Sequence, residues 1–398
     1  MSFDTAMEML RYALISTIIC LLIALFYYYL CRKGNRIRPE DWLMMGLMVA
    51  VSSLRYGLGS DYIRYKNSAA YAVRTFQSLG SIFSAETLSK YDYEVGYVAL
   101  SVLVGKITTN QYAIFWAVSL LLYVPLIIYC RKKTRDPGAA MAFFLLFGFW
   151  GMSLNVMKQA VAMMLVLFSY EMLKEKKYHW FLLLTAAAAS FHITALVAAA
   201  VILVVHSGIL KAILAPTKRN LLIMTGVGLL FRLWKGLIIK IVSLLGLYSK
   251  YMSFLNADTT SGIKRSFIMY GALIETVIVF ALVYTAITRL DALKRQNPGI
   301  EKVISIIMVG IPFSIIGISQ TLWLANRFAK FFFLFLIILV PELLERDRKP
   351  APLPVQSRMI LSRSQTLFWV GMVVWHAMYA VLMLDNNGFQ IQSYLFLS

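Results

Sequence analysis

The chain has 398 residues, of which 60% are hydrophobic and 15% are charged, and its mean hydropathy is +0.71. Soluble domains carry about 25% charged residues, so this composition excludes a soluble globular protein. The formal net charge of +20 would suggest nucleic acid in a soluble protein. In a membrane protein, Lys and Arg in the cytoplasmic loops account for it, and no nucleic-acid partner is expected. Three scattered cysteines are too few for a disulfide framework.

Apolar runs of near-membrane length, separated by short basic loops, predict an all-α, polytopic membrane helical bundle. The first run follows acidic residues and is too long for a cleaved signal peptide, so we expect it to remain as a helix. If all the loops dense in Lys and Arg face the cytoplasm, any two are separated by an even number of crossings. About twelve transmembrane crossings satisfy this rule: 12–30, 42–57, 111–130, 138–153, 157–173, 180–190, 194–210, 220–234, 267–288, 303–319, 328–344 and 366–384. Both termini then lie outside.

The requirement for an even number of crossings between basic loops, here called parity, also decides how two ambiguous stretches are read. Residues 94–106, "EVGYVALSVLVGK", are predicted to form an interfacial or re-entrant segment, because a crossing there would place the basic loop at 131–135 outside. Residues 180–205 are long enough for one tilted span. Parity favours two short half-spans with Ser190–Thr194 at the outer turn, and the single tilted helix stays open as an alternative.

The predicted organisation is one transmembrane domain over residues 1–398. The exterior loops 58–110 and 235–266 form the candidate active-site face in this topology. The Pro-rich and basic stretch 345–365 is a cytoplasmic linker.

Several exterior cations lie at the ends of apolar helices, where a charge is costly unless it is paired or faces a wet cavity. A single Lys could simply snorkel to the headgroups. Arg55, Lys158 and Arg327 have polar neighbours, and Asn155, Lys158 and Gln159 share one helix face. Such a cluster suits an anion at the bilayer surface, because Arg binds phosphate bidentately and Lys supplies a point charge. Further cations predicted at the outer face are Arg232, Lys235, Lys240, Lys264, Arg265 and Lys330.

Asp61 and Glu94 are the exterior carboxylates best placed for general-base chemistry, although each could instead pair with a neighbouring cation. His192 lies at an outer turn and is an alternative base. The sequence contains no metal-binding motif, so neither a catalytic metal nor a cofactor is expected. Glu275 lies inside a predicted span, where it marks either an ion path or a contact with a neighbouring Arg.

Four short blocks resemble the EpsG family of membrane proteins. "RYGLGSDYIRY" (Arg55–Tyr65) resembles the family's R-x-G-x-G-x-DY-x-x-Y, and "YEVGY" resembles its E-x-G-[FY]. "NVMKQAVA" resembles N-x-[MV]-R-Q-x-[IL]-A, and "FHITAL" resembles [FI]-H-x-[ST]-A-[LI]. The blocks occur in the family's order over residues 54–197, and Lys158 stands where the family usually has Arg.

The EpsG family is similar to Wzy-type bacterial polysaccharide polymerases, which are grouped with GT-C-type glycosyltransferases. The resemblance implies that undecaprenyl-pyrophosphate-linked oligosaccharide repeat units, as donor and acceptor, are joined at the outer face of the bacterial cytoplasmic membrane, with O-antigen, capsule or exopolysaccharide as product. It implies a metal-independent enzyme that contacts membrane lipids and works beside a chain-length regulator and a flippase.

The resemblance also implies roles for the residues singled out above. It implies pyrophosphate binding by Arg55, Lys158, Arg327 and Arg265; catalysis by Asp61, Glu94 or His192; and substrate contacts by Tyr62, Tyr65, Tyr97, Asn155 and Gln159.

Two other functions stay open. A ligase or acyl-type transferase would use the same lipid-linked donor on another acceptor. A transporter or flippase of an anionic or lipid-linked solute is compatible with the span count, although such proteins often show internal repeats and none is evident here.

Overall fold

The computed structural model describes most of the chain, namely residues 3–31, 34–55, 61–76, 82, 84, 94–234, 236, 262–318, 323–345 and 362–384. These residues form helices and no strand. In chain order they are α1 (Phe3–Leu30), α2 (Pro39–Ser53), α3 (Tyr62–Thr75), α4 (Val95–Ile107), α5 (Ala113–Lys133), α6 (Pro137–Leu146), α7 (Phe149–Asn155), α8 (Met157–Lys174), α9 (Tyr178–Phe191), α10 (Thr194–Ser207), α11 (Lys211–Leu214), α12 (Lys218–Leu233), α13 (Gly262–Thr288), α14 (Leu290–Gln296), α15 (Ile300–Gly317), α16 (Trp323–Phe333), α17 (Leu336–Glu345) and α18 (Arg363–Leu384). The predicted all-α class is confirmed for the described part of the chain.

Three described helices are long and apolar enough to cross a membrane: Ala113–Lys133, Met269–Thr288 and Ile300–Gly317. α6 and α7 together form a fourth candidate, bent by 57° between them. Four shorter apolar helices are Thr17–Leu30, Val95–Ile107, Tyr178–Phe191 and Thr194–Ser207. The protein is therefore an α-helical membrane protein, and the number of crossings stays a prediction.

The two stretches decided by parity can be compared with the helices. α4 covers 13 residues, or about 20 Å at 1.5 Å per residue, which is shorter than the roughly 30 Å hydrocarbon core. The long run at 180–205 is interrupted at His192 and Ile193, between α9 and α10. The break falls inside the predicted outer turn.

The chain forms two compact units, Met1–Ala200 with Val340–Ser398, and Val201–Leu339. In the first unit α1 packs against α6 and α18, α2 against α5, α8 against α9, and α3 against α4. In the second unit α15 is central and packs against α12, α13 and α16.

A buried polar cluster marks one end of the first unit. Arg131 is fully buried and binds Asp41 bidentately, through Nε to Oδ2 at 2.8 Å and Nη2 to Oδ1 at 2.6 Å. Tyr27 Oη donates to the same carboxylate at 2.6 Å. At the same end, Lys174 at the end of α8 is exposed and pairs with the buried Glu171 at 3.1 Å. We call this end, with Tyr27, Asp41, Arg131 and Lys174, the basic end.

The helices that begin or end there lead to the opposite end of the unit. α2 runs from Asp41 towards Arg55, and α8 runs from Lys158 to Lys174. At about 1.5 Å per residue, Lys158 and Lys174 are roughly 24 Å apart along α8. The predicted site cations Arg55 and Lys158 therefore lie away from the basic end.

The second unit contains a buried ion pair in its helical core. Glu275 on α13 accepts a hydrogen bond from Lys330 on α16, and both side chains are buried. Beside it, the hydroxyls of Thr276 and Ser314 are 2.6 Å apart. The partner of Glu275 is thus a Lys on another helix and not the neighbouring Arg that the sequence suggested.

Candidate functional site

The centre of the candidate site is Glu94, which contacts two other predicted site residues. Lys158 Nζ donates a hydrogen bond to Glu94 Oε2. His192 Nδ1 lies 3.5 Å from Glu94 Oε1. About a fifth of each side chain is exposed, so the cluster is partly shielded but can be reached from solvent.

All three residues of this cluster lie at helix ends. Glu94 precedes α4, His192 follows α9, and Lys158 is in the first turn of α8. The Glu94 side chain makes no capping bond to α4, so its oxygens are directed to Lys158 and His192. We name Glu94, Lys158 and His192 the triad.

Gly96 explains how the triad comes together. A methyl group at Gly96 would overlap Ser190 Oγ and would lie 3.0 Å from Phe191 Cδ2. The start of α4 can therefore approach the end of α9 closely only because residue 96 lacks a side chain. This approach places Glu94 beside His192, and it gives the E-x-G spacing a physical cause.

The electrostatics of the triad keep Glu94 ionised. Burial raises the pKa of this carboxyl, but the hydrogen bond from His192 and the charge of Lys158 outweigh burial and hold the pKa below its ordinary value. A carboxylate with a lowered pKa is a weaker proton acceptor near neutral pH. Glu94 is thus better suited to orienting Lys158 and His192 than to taking a proton itself.

Two predicted tyrosines flank the cation of the triad. Lys158 Nζ lies 5.5 Å from the ring centroids of both Tyr65 and Tyr97, within cation–π range. Tyr97 Oη donates to the backbone oxygen of Tyr65 at 2.8 Å. This bond joins α3 to α4, and both rings are buried.

Asp61 and Asn155 lie next to each other, as the candidate site requires. Asp61 precedes α3, and its backbone N–H donates to Asn155 Oδ1 at 3.3 Å. Asn155 is the last residue of α7, three positions before Lys158. Asp61 as a whole is half-buried.

Arg55 lies beneath the exposed part of the site. Its side chain is 3% exposed, its Nη2 is 2.7 Å from Met157 Sδ, and its guanidinium carbon is 5.1 Å from the Phe115 ring centroid. Tyr62 stacks on the same Phe115 ring, and the two ring centroids are 4.5 Å apart. Arg55 therefore supplies positive charge from within rather than from an exposed surface.

The remaining predicted residues are placed as follows. Gln159 is buried on α8. Arg327 is half-buried on α16 in the second unit. Arg265 belongs to α13, but its side chain lies outside the described residues, as do Gly57 and Gly59. The segments 58–110, 235–266 and 345–365, predicted to be exterior loops and a cytoplasmic linker, are only partly described.

Phe115 and Met157 are site residues that sequence reasoning missed. Both are apolar residues inside or beside apolar runs, so their types carry no signal of a polar site. Met157 is the third residue of the "NVMKQ" block, and its position next to Lys158 was the one available hint.

The fold and site define the protein as an α-helical membrane protein with a shielded, cation-containing cluster formed by helix ends. Residues 42–396 match the EpsG family, nearly the whole chain, and the chain therefore belongs to that family of Wzy-type polymerases. No curated protein and no solved structure matches the chain.

Proposed function

We propose that this protein polymerises undecaprenyl-pyrophosphate-linked oligosaccharide repeat units by inverting glycosyl transfer. Family membership supports a polysaccharide polymerase. The observation that carries the assignment of the site is the triad, a Lys–Glu–His cluster flanked by tyrosines at the end of the first unit away from the basic end.

In the proposed reaction, a hydroxyl of the acceptor sugar attacks the anomeric carbon of the donor sugar. The new glycosidic bond forms as the bond from that carbon to the pyrophosphate oxygen breaks, and undecaprenyl pyrophosphate leaves with the bonding electrons. Lys158 and the charge of Arg55 stabilise the negative charge that develops on the leaving group. No metal takes part in this proposal.

The proton of the acceptor hydroxyl goes to His192 in this proposal. Glu94 faces His192 Nδ1 and favours a proton on that nitrogen, which orients the ring in the way that carboxylates orient catalytic histidines. Asp61 is the second candidate base, because its backbone N–H bonds Asn155, three positions before Lys158. Glu94 takes the orienting role on account of its lowered pKa.

The tyrosines would support the sugar site from within. Tyr65 and Tyr97 flank Lys158, Tyr62 stacks on Phe115, and all three side chains are buried. Their role would therefore be to hold Lys158 in position for the substrate rather than to stack on the sugar. Asn155 and Gln159 would add amide hydrogen bonds to the substrate.

We further propose a GT-C-like bundle of about twelve crossings in the bacterial cytoplasmic membrane, with the triad facing outward. The separation of the triad from the basic end along α8 supports this orientation, because basic loops remain cytoplasmic. The donor's pyrophosphate would then lie at headgroup level and its lipid tail between helices.

The test is chain growth by the purified protein in proteoliposomes with lipid-linked repeat units as both donor and acceptor. The proposal predicts a ladder of longer glycans without nucleotide sugar or ion gradient. Lys158→Met should abolish the ladder, whereas the matched control Lys174→Met, at the other end of α8, should retain it. Units that change leaflet without lengthening would instead identify a transporter, and transfer to another acceptor alone would identify a ligase.

A further inference from the structure

The α6–α7 break lies at the middle of the broken candidate span. α6 ends at Leu146, α7 begins at Phe149, and the two helices are bent by 57°. Gly148 joins them with a φ of +99°, a left-handed conformation that favours glycine. A break of this kind removes backbone amide partners from the carbonyl groups that precede it.

Two side chains of α18 bind those carbonyls. Trp375 Nε1 donates to Phe147 O at 3.2 Å, and His376 Nδ1 lies 3.1 Å from Leu146 O. Because a carbonyl oxygen can only accept, the proton of His376 must be on Nδ1. Both side chains are 2% exposed, so water does not compete with them.

A third residue of α18, Tyr379, packs against Gly148 at the break. The Tyr379 ring packs on Gly148 so closely that a methyl group there would lie 2.7 Å from Tyr379 Cε1. Residues 375, 376 and 379 therefore hold the break from one face of α18. Helix breaks at membrane depth persist only where neighbouring groups satisfy the freed backbone, and α18 supplies those groups.

The break controls where α7 places its last residue. α7 covers only Phe149–Asn155 and is tied at Trp150, whose Nε1 donates to Ser52 Oγ at 3.2 Å. Its end is Asn155, which accepts from the Asp61 backbone, and Lys158 follows three positions later. A shift at the break therefore moves Asn155 and Lys158 together.

We propose that Trp375 and His376 are positioning residues for the triad, acting through the α6–α7 break on Asn155 and Lys158. Helix α18 is then part of the catalytic scaffold, although it lies more than 200 positions from the triad's Lys158 in sequence. The role in catalysis rests on the proposed function. The geometric role can be tested without it.

The geometric test uses Lys158→Cys as a reporter in the full-length protein, labelled with a soluble maleimide in proteoliposomes. The native cysteines Cys20, Cys31 and Cys130 are buried, so background labelling should be low. His376→Leu keeps roughly the size of the side chain but removes the N–H donor. We expect it to change the labelling rate at position 158 severalfold. Trp375→Phe, which removes the indole N–H together with part of the ring, should act in the same direction.

Two controls make this result specific. His376→Gln restores an N–H donor that can reach the Leu146 carbonyl. The labelling rate of Lys158→Cys should therefore return to the value measured with His376 unchanged. Val374→Ala, an exposed neighbour on α18, should leave the rate unchanged. Unchanged labelling in folded His376→Leu and Trp375→Phe, or no recovery in His376→Gln, would overturn the proposal.

Chain growth in otherwise unmodified protein separates this inference from the proposed function. We expect growth to fall severalfold in His376→Leu, to recover in His376→Gln and to remain in Val374→Ala. If the protein with His376 forms no ladder while the labelling pattern holds, the proposed function fails and the geometric inference stands. If the ladder forms but all three variants match the protein with His376, the positioning role in catalysis is wrong.

Discussion

The contact between Lys158 and Glu94 leads to a quantitative prediction for stability. The two side chains are hydrogen-bonded, and 23% and 22% of their surfaces are exposed. A hydrogen bond that involves charged groups contributes about 1.5–3 kcal/mol, and removing one partner leaves the other charge partly buried. We therefore expect Glu94→Gln and Lys158→Met each to lower the free energy of unfolding by about 2 kcal/mol.

The double variant tests whether these losses have one cause. If both arise from the same contact, Glu94→Gln with Lys158→Met should cost about 2–3 kcal/mol, with a coupling energy of about 1–2 kcal/mol. The assay is reversible denaturant unfolding in mixed micelles, with Lys174→Met as the control for loss of a Lys from α8. If the loss in the double variant equals the sum of the two single losses to within about 0.5 kcal/mol, the Lys158–Glu94 contact does not account for the stability.

The remaining predictions concern pH, packing and the proton acceptor. The folded-state pKa of Glu94 is lowered. The contribution of Glu94 to stability is therefore complete above its ordinary pKa of 4.5 and is lost as the pH falls through the folded-state pKa. Below pH 4.5, the decline in Tm should be smaller in Glu94→Gln than in the unmodified protein. Gly96→Ala should reduce chain growth and Tm because the methyl overlaps Ser190 Oγ, whereas Gly46→Ala, which meets nothing within 4 Å, should change neither. His192→Ala should lower kcat for chain growth by about a hundredfold or more with Tm nearly unchanged, and a loss confined to KM would contradict its role as base.

The helical class and the grouping of polar residues could be predicted from sequence. Long apolar runs specify helices with few alternatives, and the breaks near His192 and after Asn155 follow from polar residues within apolar runs. The specific contact between Glu94 and Lys158 could not be predicted, because the two residues are 64 positions apart. It depends on how α4 packs against α9, which Gly96 permits.

The α6–α7 break shows where the pattern of hydrophobicity carries too little information. The run 138–153 predicts one continuous crossing, because every residue near Gly148 is apolar or small. The backbone at Gly148 is nevertheless left-handed, and its partners come from α18. A helix break set by a distant tryptophan and histidine has no local signature, and a lone His in an apolar run can be either structural or functional.

Arg55 illustrates the limit for the site itself. Its position at the end of an apolar helix predicts a phosphate contact at the surface, but the side chain is buried against Phe115 and Met157. Burial depends on which apolar residues pack over the guanidinium, and sequence spacing does not specify them.

The most direct measurement of the central claim is binding of undecaprenyl pyrophosphate to the protein in nanodiscs, by native mass spectrometry. The account predicts a bound lipid pyrophosphate in the unmodified protein and in Lys174→Met, and its loss in Lys158→Met. Equal binding in all three proteins would contradict the assignment of the pyrophosphate site to the triad.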